Sequence, residues 1–360
     1  MNDPSIDPAE TIKIAILTPF GSKEKRLSYI GKSLRDAAFL AKQDLGNLPL
    51  QLMIYDTAGQ VDKSRDSTQS AINDGAHLIV GPFLSETTQA VSSIAKSKRT
   101  KMISFSNDPA VAGDNIFIIG NSLTNRAKTL IKYAVEQRKY RFGIISSIED
   151  SSNEFSKSIK AQIAKNGGVE TFSVYYSDDI SSLSDTARKI SERIVSTDTD
   201  VLIFTHDPTR HIPLLAAEIN DMAKSSKKGE LQIIGLSRWD LSKSFLAEPS
   251  LQSAWFAIPD DRFRTTYESK FIKKFGYRPH LTSSLAYDAV AALGVLIRKR
   301  NAEKSHYPFS MGEVMNINGF IGIDGIFRFK SDRTAEKTLA IVEINQGRTS
   351  ILKSASNRFQ

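Results

Sequence analysis

The chain has 360 residues, enough for two domains of ordinary size, and its 40% hydrophobic and 24% charged residues are typical of globular proteins. It contains no cysteine, which excludes disulfides, cysteine-ligated zinc, iron–sulfur centres and a thiol nucleophile. No run of about 18 apolar residues predicts a membrane span, and residues 1–10 lack the basic and apolar features of a secretory signal. The net charge is +8, and the lysine and arginine residues are scattered along the chain, which argues against nucleic-acid binding. The positive charge indicates either a solvated basic surface or attraction to an acidic partner.

Alternating strands and helices are predicted over the first third of the chain. Short apolar runs predict strands at residues 11–20, 48–56, 77–83 and 101–106, with an extended piece at 115–120. Apolar residues at helical spacing predict helices at residues 28–45, 61–74 and 85–98. Such alternation builds a parallel sheet with helices on both faces, and ligands of such sheets bind at the carboxyl ends of the strands.

The same alternation begins again near residues 120–124. Helices are predicted at residues 124–137, 153–165, 183–195 and 212–223, and strands at 141–147, 169–176, 201–205 and 231–236. The remaining elements look too few to bury a core of their own: a strand at 251–258, helices at 262–275 and 283–299, and a terminal hairpin of residues 326–329 and 339–344.

We therefore predict an α/β fold of two doubly wound, Rossmann-like lobes. Lobe 1 would contain residues 11–121 plus 260–322, lobe 2 residues 122–259 plus 323–354, and the ends 1–10 and 355–360 would be flexible. Several crossings between lobes would form a hinge and an interlobe cleft that closes on a ligand.

Motifs for catalysis or cofactor binding are not found in the sequence. The first strand–helix turn lacks the glycine pattern of a dinucleotide site, and neither a phosphate-binding loop nor a nucleophile elbow occurs. His206 and His211 flank Asp207, but their spacing matches no established zinc motif. We therefore expect no enzymatic activity, no metal and no cofactor.

Three segments carry a resemblance to a known family: IKIAILTPF, GAHLIVGPFLSETTQAV and TKMISFSNDPAVAG. Together with the two-lobe layout they resemble the type I periplasmic binding proteins, the group that contains the leucine/isoleucine/valine-binding proteins, over about residues 11–354. Within this group, PSLQSAWFAIPDD, SLAYDAVAAL and NGFIGIDGIFRF are similar to the branch of penicillin-binding-protein activators.

The resemblance implies a ligand site on lobe 1. Amino-acid-binding members hold the ligand carboxylate with hydroxyls and backbone N–H groups of this lobe. The implied positions here are Ser85, Ser104, Ser106, Asn107 and Asp108. Ser85 is also predicted to be the N-cap of a helix, and capping alone would explain a serine there.

The second lobe departs from the amino-acid-binding pattern. Where those proteins place an acidic residue, this chain has Ser237, followed by Arg238 and Trp239. Arginine offers a planar fork for carboxylate or sugar oxygens and tryptophan offers a stacking surface. The alternative is that Trp239 packs inside the lobe while Arg238 is solvated.

Two further loops of lobe 2 complete the predicted site. The aromatic position of the amino-acid binders falls near Ser151, and the loop after residue 205 begins with His206 rather than tyrosine. These changes argue against a free α-amino acid as ligand. Glu149 and Asp150 could supply a carboxylate instead, or form a solvated pair.

The resemblance implies a non-catalytic exported binding protein in the periplasm, with outer-membrane association and a tether upstream of this chain as further expectations. Our main prediction is an activator whose partner is a penicillin-binding protein, a peptidoglycan synthase. The alternative is the receptor of an ABC importer, which would bind a small polar or anionic solute and contact an ABC permease. A cytosolic ligand sensor is a third option, disfavoured because no helix-turn-helix precedes residue 11.

Overall fold

Parallel strands alternating with helices make up most of the protein in a computed structural model, which describes residues 3–148, 153–177, 179–205, 211–225 and 231–359. These residues form two compact units. Unit 1 contains the residues up to Ser122, Asp260–Thr338 and those from Asn357, and unit 2 contains Leu123–Pro259 and Leu339–Ser356.

The helices and strands follow in this order. The first section of unit 1 contains β1 (Ile12–Thr18), α1 (Lys25–Leu45), β2 (Leu50–Asp56), α2 (Val61–Asn73), β3 (Leu78–Val80), α3 (Ser85–Ser97), β4 (Lys101–Ser104) and β5 (Ile116–Ile118). Unit 2 begins with α4 (Leu123–Glu136), β6 (Arg141–Ser147), α5 (Asn153–Lys165), β7 (Val169–Tyr176), α6 (Leu183–Ser196), β8 (Val201–Phe204), α7 (His211–Ser225), β9 (Gln232–Gly235), α8 (Lys243–Ala247) and β10 (Trp255–Pro259). The chain then returns to unit 1 with α9 (Arg264–Phe275), α10 (Ser284–Glu303), α11 (Met311–Val314), β11 (Phe320–Gly322), β12 (Gly325–Phe329) and β13 (Ala335–Lys337). It ends in unit 2 with β14 (Leu339–Asn345) and β15 (Arg348–Lys353).

The main sheet of unit 1 is parallel, with strand order β2-β1-β3-β4-β5. Successive side chains of β1 point to opposite faces, so Ile14 and Ile16 join the cluster of α1 and α10, whereas Ala15 and Leu17 join that of α2 and α3. Burial on both faces explains why these strands are continuous apolar runs in the sequence. Because the strands are parallel, the loops that follow them lie at one edge of the sheet, which we call the carboxyl edge of unit 1.

Helix α10 lies in the core of unit 1. Residues 281–303 are long and apolar enough to cross a membrane, but 67% of the apolar window is buried, as in a core helix. Gly294 allows α1 to pack closely, because a Cβ atom there would lie 2.4 Å from Cδ2 of Leu45. The burial of α10 explains its nearly uninterrupted apolar sequence.

Unit 2 contains a sheet with strand order β15-β14-β10-β9-β8-β6-β7. The strands from β10 to β7 are parallel, and β14 and β15 extend the sheet in antiparallel fashion. The α/β character predicted for both lobes is therefore present in each unit.

The terminal hairpin predicted from residues 326–329 and 339–344 is wrong. Strand β12 pairs with β11 and β13 in a small antiparallel sheet of unit 1, whereas β14 pairs with β10 and β15 in unit 2. Residues 323–338, assigned to lobe 2 from the sequence, therefore belong to unit 1. Alternating apolar residues reveal a half-buried strand but do not identify its partner.

Residues 3–10 and 357–359 pack on unit 1, although we expected both ends of the chain to be flexible. Ile6 is buried in the core, and its backbone N–H donates to the carbonyl of His306 over 2.9 Å. The buried Arg300 guanidinium donates to the carbonyl oxygens of Asp7 and Glu10. At the other end, the ring of Phe359 lies 4.3 Å from the Arg328 guanidinium.

Candidate functional site

The residues predicted for lobe 1 lie at the carboxyl edge of unit 1. Ser85 begins α3 just after β3, and Ser104, Ser106, Asn107 and Asp108 follow one another at the end of β4 and in the loop after it. Strands β3 and β4 are neighbours in the sheet, so the two loops meet. The structure thus brings together serine positions that are about twenty residues apart in the sequence.

Two hydroxyl groups form the centre of this site. The Oγ atoms of Ser85 and Ser106 are 2.7 Å apart, and either can be the donor. Ser106 is buried and also accepts a hydrogen bond from the backbone N–H of Asp108 over 3.1 Å. The pair therefore fixes the position of the loop relative to the start of α3.

Ser85 was predicted to be the N-cap of α3, and this prediction is wrong. Leu84 occupies the N-cap position, and Ser85 is the first helical residue. The Ser85 hydroxyl interacts with Ser106 instead of a backbone N–H of its own helix, which leaves it available to a ligand as well.

Ser104 has a structural role in this arrangement. Its hydroxyl is fully buried, lies 2.8 Å from Oγ1 of Thr88 and donates to the carbonyl of Pro82 over 3.1 Å. It also accepts the backbone N–H of Ser106 over 3.1 Å. These contacts saturate the hydroxyl, so Ser104 positions the loop and is not available to contact a ligand.

The loop after β4 adds a carboxylate to the edge. Asp108 is half-buried, and its Oδ1 accepts the backbone N–H of Ala110 over 2.9 Å. Asn107 is exposed beside it. The carboxylate thus caps a short turn with one oxygen and keeps its second oxygen for other partners.

Sequence reasoning missed two residues of the same edge, Thr18 and Asp56. Oδ1 of Asp56 accepts the backbone N–H groups of Gly21 and Ala58, each over 2.9 Å, and Oδ2 lies 3.6 Å from Nζ of Lys63. The Thr18 hydroxyl is fully buried and has no hydrogen-bond partner within the described part of the chain. Both residues end strands of the parallel sheet, and that position was the available signal.

In unit 2 the structure separates the roles predicted for Ser237, Arg238 and Trp239. The Trp239 side chain is fully buried, with its ring centroid 5.7 Å from that of Phe245. Gly235 makes room for it, since a Cβ atom there would lie 2.3 Å from the indole. Of the two readings of Trp239, packing inside the lobe is therefore the one observed.

The predicted alternative of a solvated Arg238 is not observed, because its guanidinium pairs with the carboxylate of Asp240. Its Nε donates to Oδ1 over 2.6 Å and its Nη2 donates to Oδ2, a bidentate ion pair in which both side chains are about one-fifth exposed. Ser237 is buried next to it. The guanidinium fork is thus already occupied by a carboxylate of the chain itself.

Four predicted site residues lie outside the described residues: Glu149, Asp150, Ser151 and His206. Within the ranges that the structure describes, no three His, Cys, Asp or Glu side chains are grouped so that they could hold a metal ion.

Known structures resemble the whole chain in fold. A putative branched-chain amino acid ABC transporter protein from Rhodospirillum rubrum superimposes with a TM-score of 0.78 at 15% identity, covering 95% of this chain and 100% of that chain. An ABC transporter substrate-binding protein from Desulfitobacterium hafniense, in complex with Leu, gives 0.66 at 18% identity over 95% and 99% of the two chains. The leucine-binding protein LivK from Thermotoga maritima gives 0.60 at 16% identity over 96% and 99%.

Sequence comparison gives the family. An uncharacterized Rickettsia prowazekii (strain Madrid E) protein, RP748, is 23% identical over 238 residues, which are 65% of this chain and 62% of that protein's length. The sequence profile described as Periplasmic binding protein matches residues 11–349, nearly the whole chain. The chain therefore belongs to the periplasmic binding protein family, in agreement with its two α/β units.

Proposed function

We propose that this protein is a periplasmic solute-binding receptor of an ABC importer, which binds a small polar solute at the carboxyl edge of unit 1. The observation that carries the proposal is the Ser85–Ser106 hydroxyl pair beside Asp108, formed where two neighbouring parallel strands end. Ligands of parallel α/β sheets bind at this edge, because the loops there converge and backbone groups are exposed.

The structural neighbours support the importer over the synthase activator. Several of them are described as substrate-binding or ligand-binding proteins of ABC transporters, and one was solved in complex with Leu. By analogy the partner of this chain is an ABC permease. The activator function and an outer-membrane association rest on the sequence resemblance alone and stay predictions.

The chemistry of the edge fits binding without catalysis. Its polar groups are hydroxyls and carboxylates held by backbone N–H groups, which recognise a polar ligand by hydrogen bonds. No nucleophile paired with a general base occurs among the described residues of this edge.

A ligand screen by thermal unfolding tests the proposal. A solute at 100 times its Kd should stabilise the protein by about 2.7 kcal/mol, which raises Tm by roughly 5–10 °C for units of this size. Amino acids, amines, sugars, polyols and muropeptides form the panel, and calorimetry of each hit gives Kd.

Paired variants locate the binding surface. The double change Ser85→Ala with Ser106→Ala should abolish the shift, whereas Ser97→Ala should not, because Ser97 is an exposed serine at the other end of the same helix whose hydroxyl donates to the carbonyl of Ile94. The proposal fails if no solute stabilises the protein, or if the double variant binds as well as the parent.

A further inference from the structure

Residues 3–10 cross the amino edge of unit 1, where the strands of its parallel sheet begin. Glu10 contacts His77 just before β3, and the Asp3 carboxylate accepts a hydrogen bond from the amine of Lys101 at the start of β4. The candidate solute site lies at the opposite edge, where the same strands end. The amino edge therefore carries a second surface, separate from that site.

The first residues of this segment lie in a groove, which we call the amino-edge groove. It is formed by the starts of β3 and β4 and by the residues between α10 and α11. Its lining side chains are His77, Arg99, Lys101, Tyr307, Phe309 and Ser310. A volume of about 290 Å³, open to solvent, remains beside the segment, so the segment does not fill the groove.

Two buried cations at this edge obtain hydrogen-bond acceptors from the segment. Lys101 is 6% exposed, and its amine pairs with Asp3. Arg300 is 1% exposed, and its guanidinium donates to the carbonyl oxygens of Asp7 and Glu10. A buried cation without acceptors is strongly unfavourable, so the amino edge needs an occupant that presents carboxylate and carbonyl oxygens.

The segment also shows which apolar groups the groove accepts. Ile6 is 5% exposed and belongs to the same core cluster as Phe309. Pro4 lies in the groove with Tyr307. Proline favours an extended polyproline II conformation, and grooves lined by aromatic residues bind such segments. The groove thus fits an extended peptide with the spacing Asp-Pro-x-Ile.

The segment is held less firmly than the strands beneath it. Ile6 is its one buried residue, whereas Pro4, Ser5 and Asp7 are exposed. The N–H of Ile6 donates to the carbonyl of His306 over 2.9 Å, but prolines have no N–H to donate. A segment with so few buried contacts opens at a lower free energy than the whole unit unfolds.

We propose that the amino-edge groove binds an acidic, proline-containing peptide of a partner protein, and that residues 3–10 occupy it as a competing segment of the chain itself. The partner peptide presents a carboxylate to Lys101, an aliphatic side chain in place of Ile6, and carbonyl oxygens to Arg300. The tether gives the chain's own segment an effective concentration of about a millimolar, which the partner has to overcome. This site is independent of the proposed solute site.

Hydrogen exchange of the unmodified protein tests whether the segment can be displaced. The probe is a synthetic peptide with the sequence of residues 3–11, added at several times the effective concentration of the tethered segment. It should accelerate exchange of the Ile6 amide at least about tenfold, because a filled groove leaves the segment in water. Exchange in β1 should not change, and a peptide with the changes Asp3→Asn and Ile6→Ser should have no effect.

Fluorescence anisotropy on full-length variants locates the binding site. Asp3→Asn with Ile6→Ser releases the segment, so a labelled peptide should bind this double variant at least about tenfold more tightly than the parent. Adding Lys101→Met should weaken binding about tenfold, the loss expected for a charge-assisted hydrogen bond. Lys98→Met is the matched control, because Lys98 is an exposed lysine three residues earlier in the chain, and it should leave the affinity unchanged.

Three outcomes would overturn the proposal. The first is a folded double variant, established by circular dichroism, that binds no peptide or that loses affinity equally with Lys98→Met and Lys101→Met. The second is unchanged exchange at Ile6 of the parent, which decides alone if the double variant is unfolded. The third is a parent dimer in size-exclusion chromatography that the double variant dissociates, because a second copy of the chain would then be the occupant.

Discussion

Asp288 offers the sharpest test of the physical reasoning, because it is a carboxyl group buried completely in unit 1. Its Oδ1 accepts the backbone N–H of Ile323 over 2.7 Å, and the backbone of Gly322 packs against the carboxyl so closely that a Cβ atom there would lie 2.4 Å from Oδ2. The group cannot move toward water without displacing strand β11.

The pKa of Asp288 is raised to about 7, chiefly by burial and in part by the nearby carboxylate of Asp324. Lys337 and the Arg264 guanidinium, which pairs with Asp324, oppose this effect. The folded protein therefore keeps Asp288 protonated at pH values where the unfolded chain, with an ordinary pKa near 4, has already released the proton.

The sign and size of the effect follow from proton linkage. Between about pH 4.5 and 6.5 the folded state binds one proton more than the unfolded state at this group. The free energy of unfolding therefore falls by about 1.4 kcal/mol per pH unit as the pH rises, or roughly 2.7 kcal/mol over the window. Asp288→Asn keeps the acceptor for Ile323 and the shape of the neutral acid but binds no proton, so this contribution should vanish.

Urea unfolding of both proteins across this window measures the difference. Circular dichroism reports both units, whereas fluorescence reports unit 2, because both tryptophans of the chain lie there. The variant should gain stability relative to the parent as the pH rises, and Asp62→Asn, at an exposed carboxylate of α2, should not. Parallel pH profiles for parent and Asp288→Asn would refute a protonated Asp288.

Three further predictions concern other parts of the fold. Gly81→Ala should destabilise unit 1 in urea unfolding. Residue 81 has φ +109°, a backbone strain of about 1–3 kcal/mol for alanine, and the clash of a Cβ atom 2.1 Å from the carbonyl oxygen of Leu17 adds to this cost. Trp239→Ala should cost unit 2 about 3–5 kcal/mol through the cavity it leaves, measured by thermal unfolding. The His77 imidazole, whose pKa is lowered by burial and whose Nδ1 accepts the N–H of Lys13, should titrate below 6.5 by NMR. Its contribution to stability is then present above that pH and is lost as the pH falls through the lowered value.

Each of these predictions has a control or a contradicting outcome. Gly113→Ala meets no atom within 4 Å and should change stability by no more than about 0.5 kcal/mol. A Trp239→Ala protein of parental stability would show that the indole is not a core residue. A His77 pKa above 6.5 would mean that attraction to Glu10, whose Oε1 lies 3.3 Å away, exceeds the effect of burial.

The sheets were predictable from sequence because parallel strands buried on both faces are continuous apolar runs. The partner of a strand was not, and the supposed hairpin of β12 and β14 shows why: alternation records which face is buried, whereas pairing depends on distant segments. The serines of the candidate site came from the family resemblance. Their hydrogen-bond partners are neighbours only once β3 and β4 pair.

The burial of two side chains could not be settled from the sequence, for one common reason. Trp239 follows a strand at a position that suggests a ligand loop, and its burial depends on the missing side chain of Gly235 beneath the indole. Asp288 is a single acidic residue in an apolar helix, and no local pattern distinguishes a solvated carboxylate from one enclosed by strand β11. Such environments are made by tertiary contacts, which a sequence pattern does not contain.

The order of segments along the chain has a consequence for biosynthesis. Helix α10 belongs to the core of unit 1 although it begins only at Ser284, and β14, the antiparallel neighbour of β10, comes later still. Neither unit can close its core while a ribosome is still extending the first two thirds of the polypeptide. The nascent chain should therefore stay accessible to chaperones until residues 339–345 emerge, and both units should then acquire protease resistance almost together.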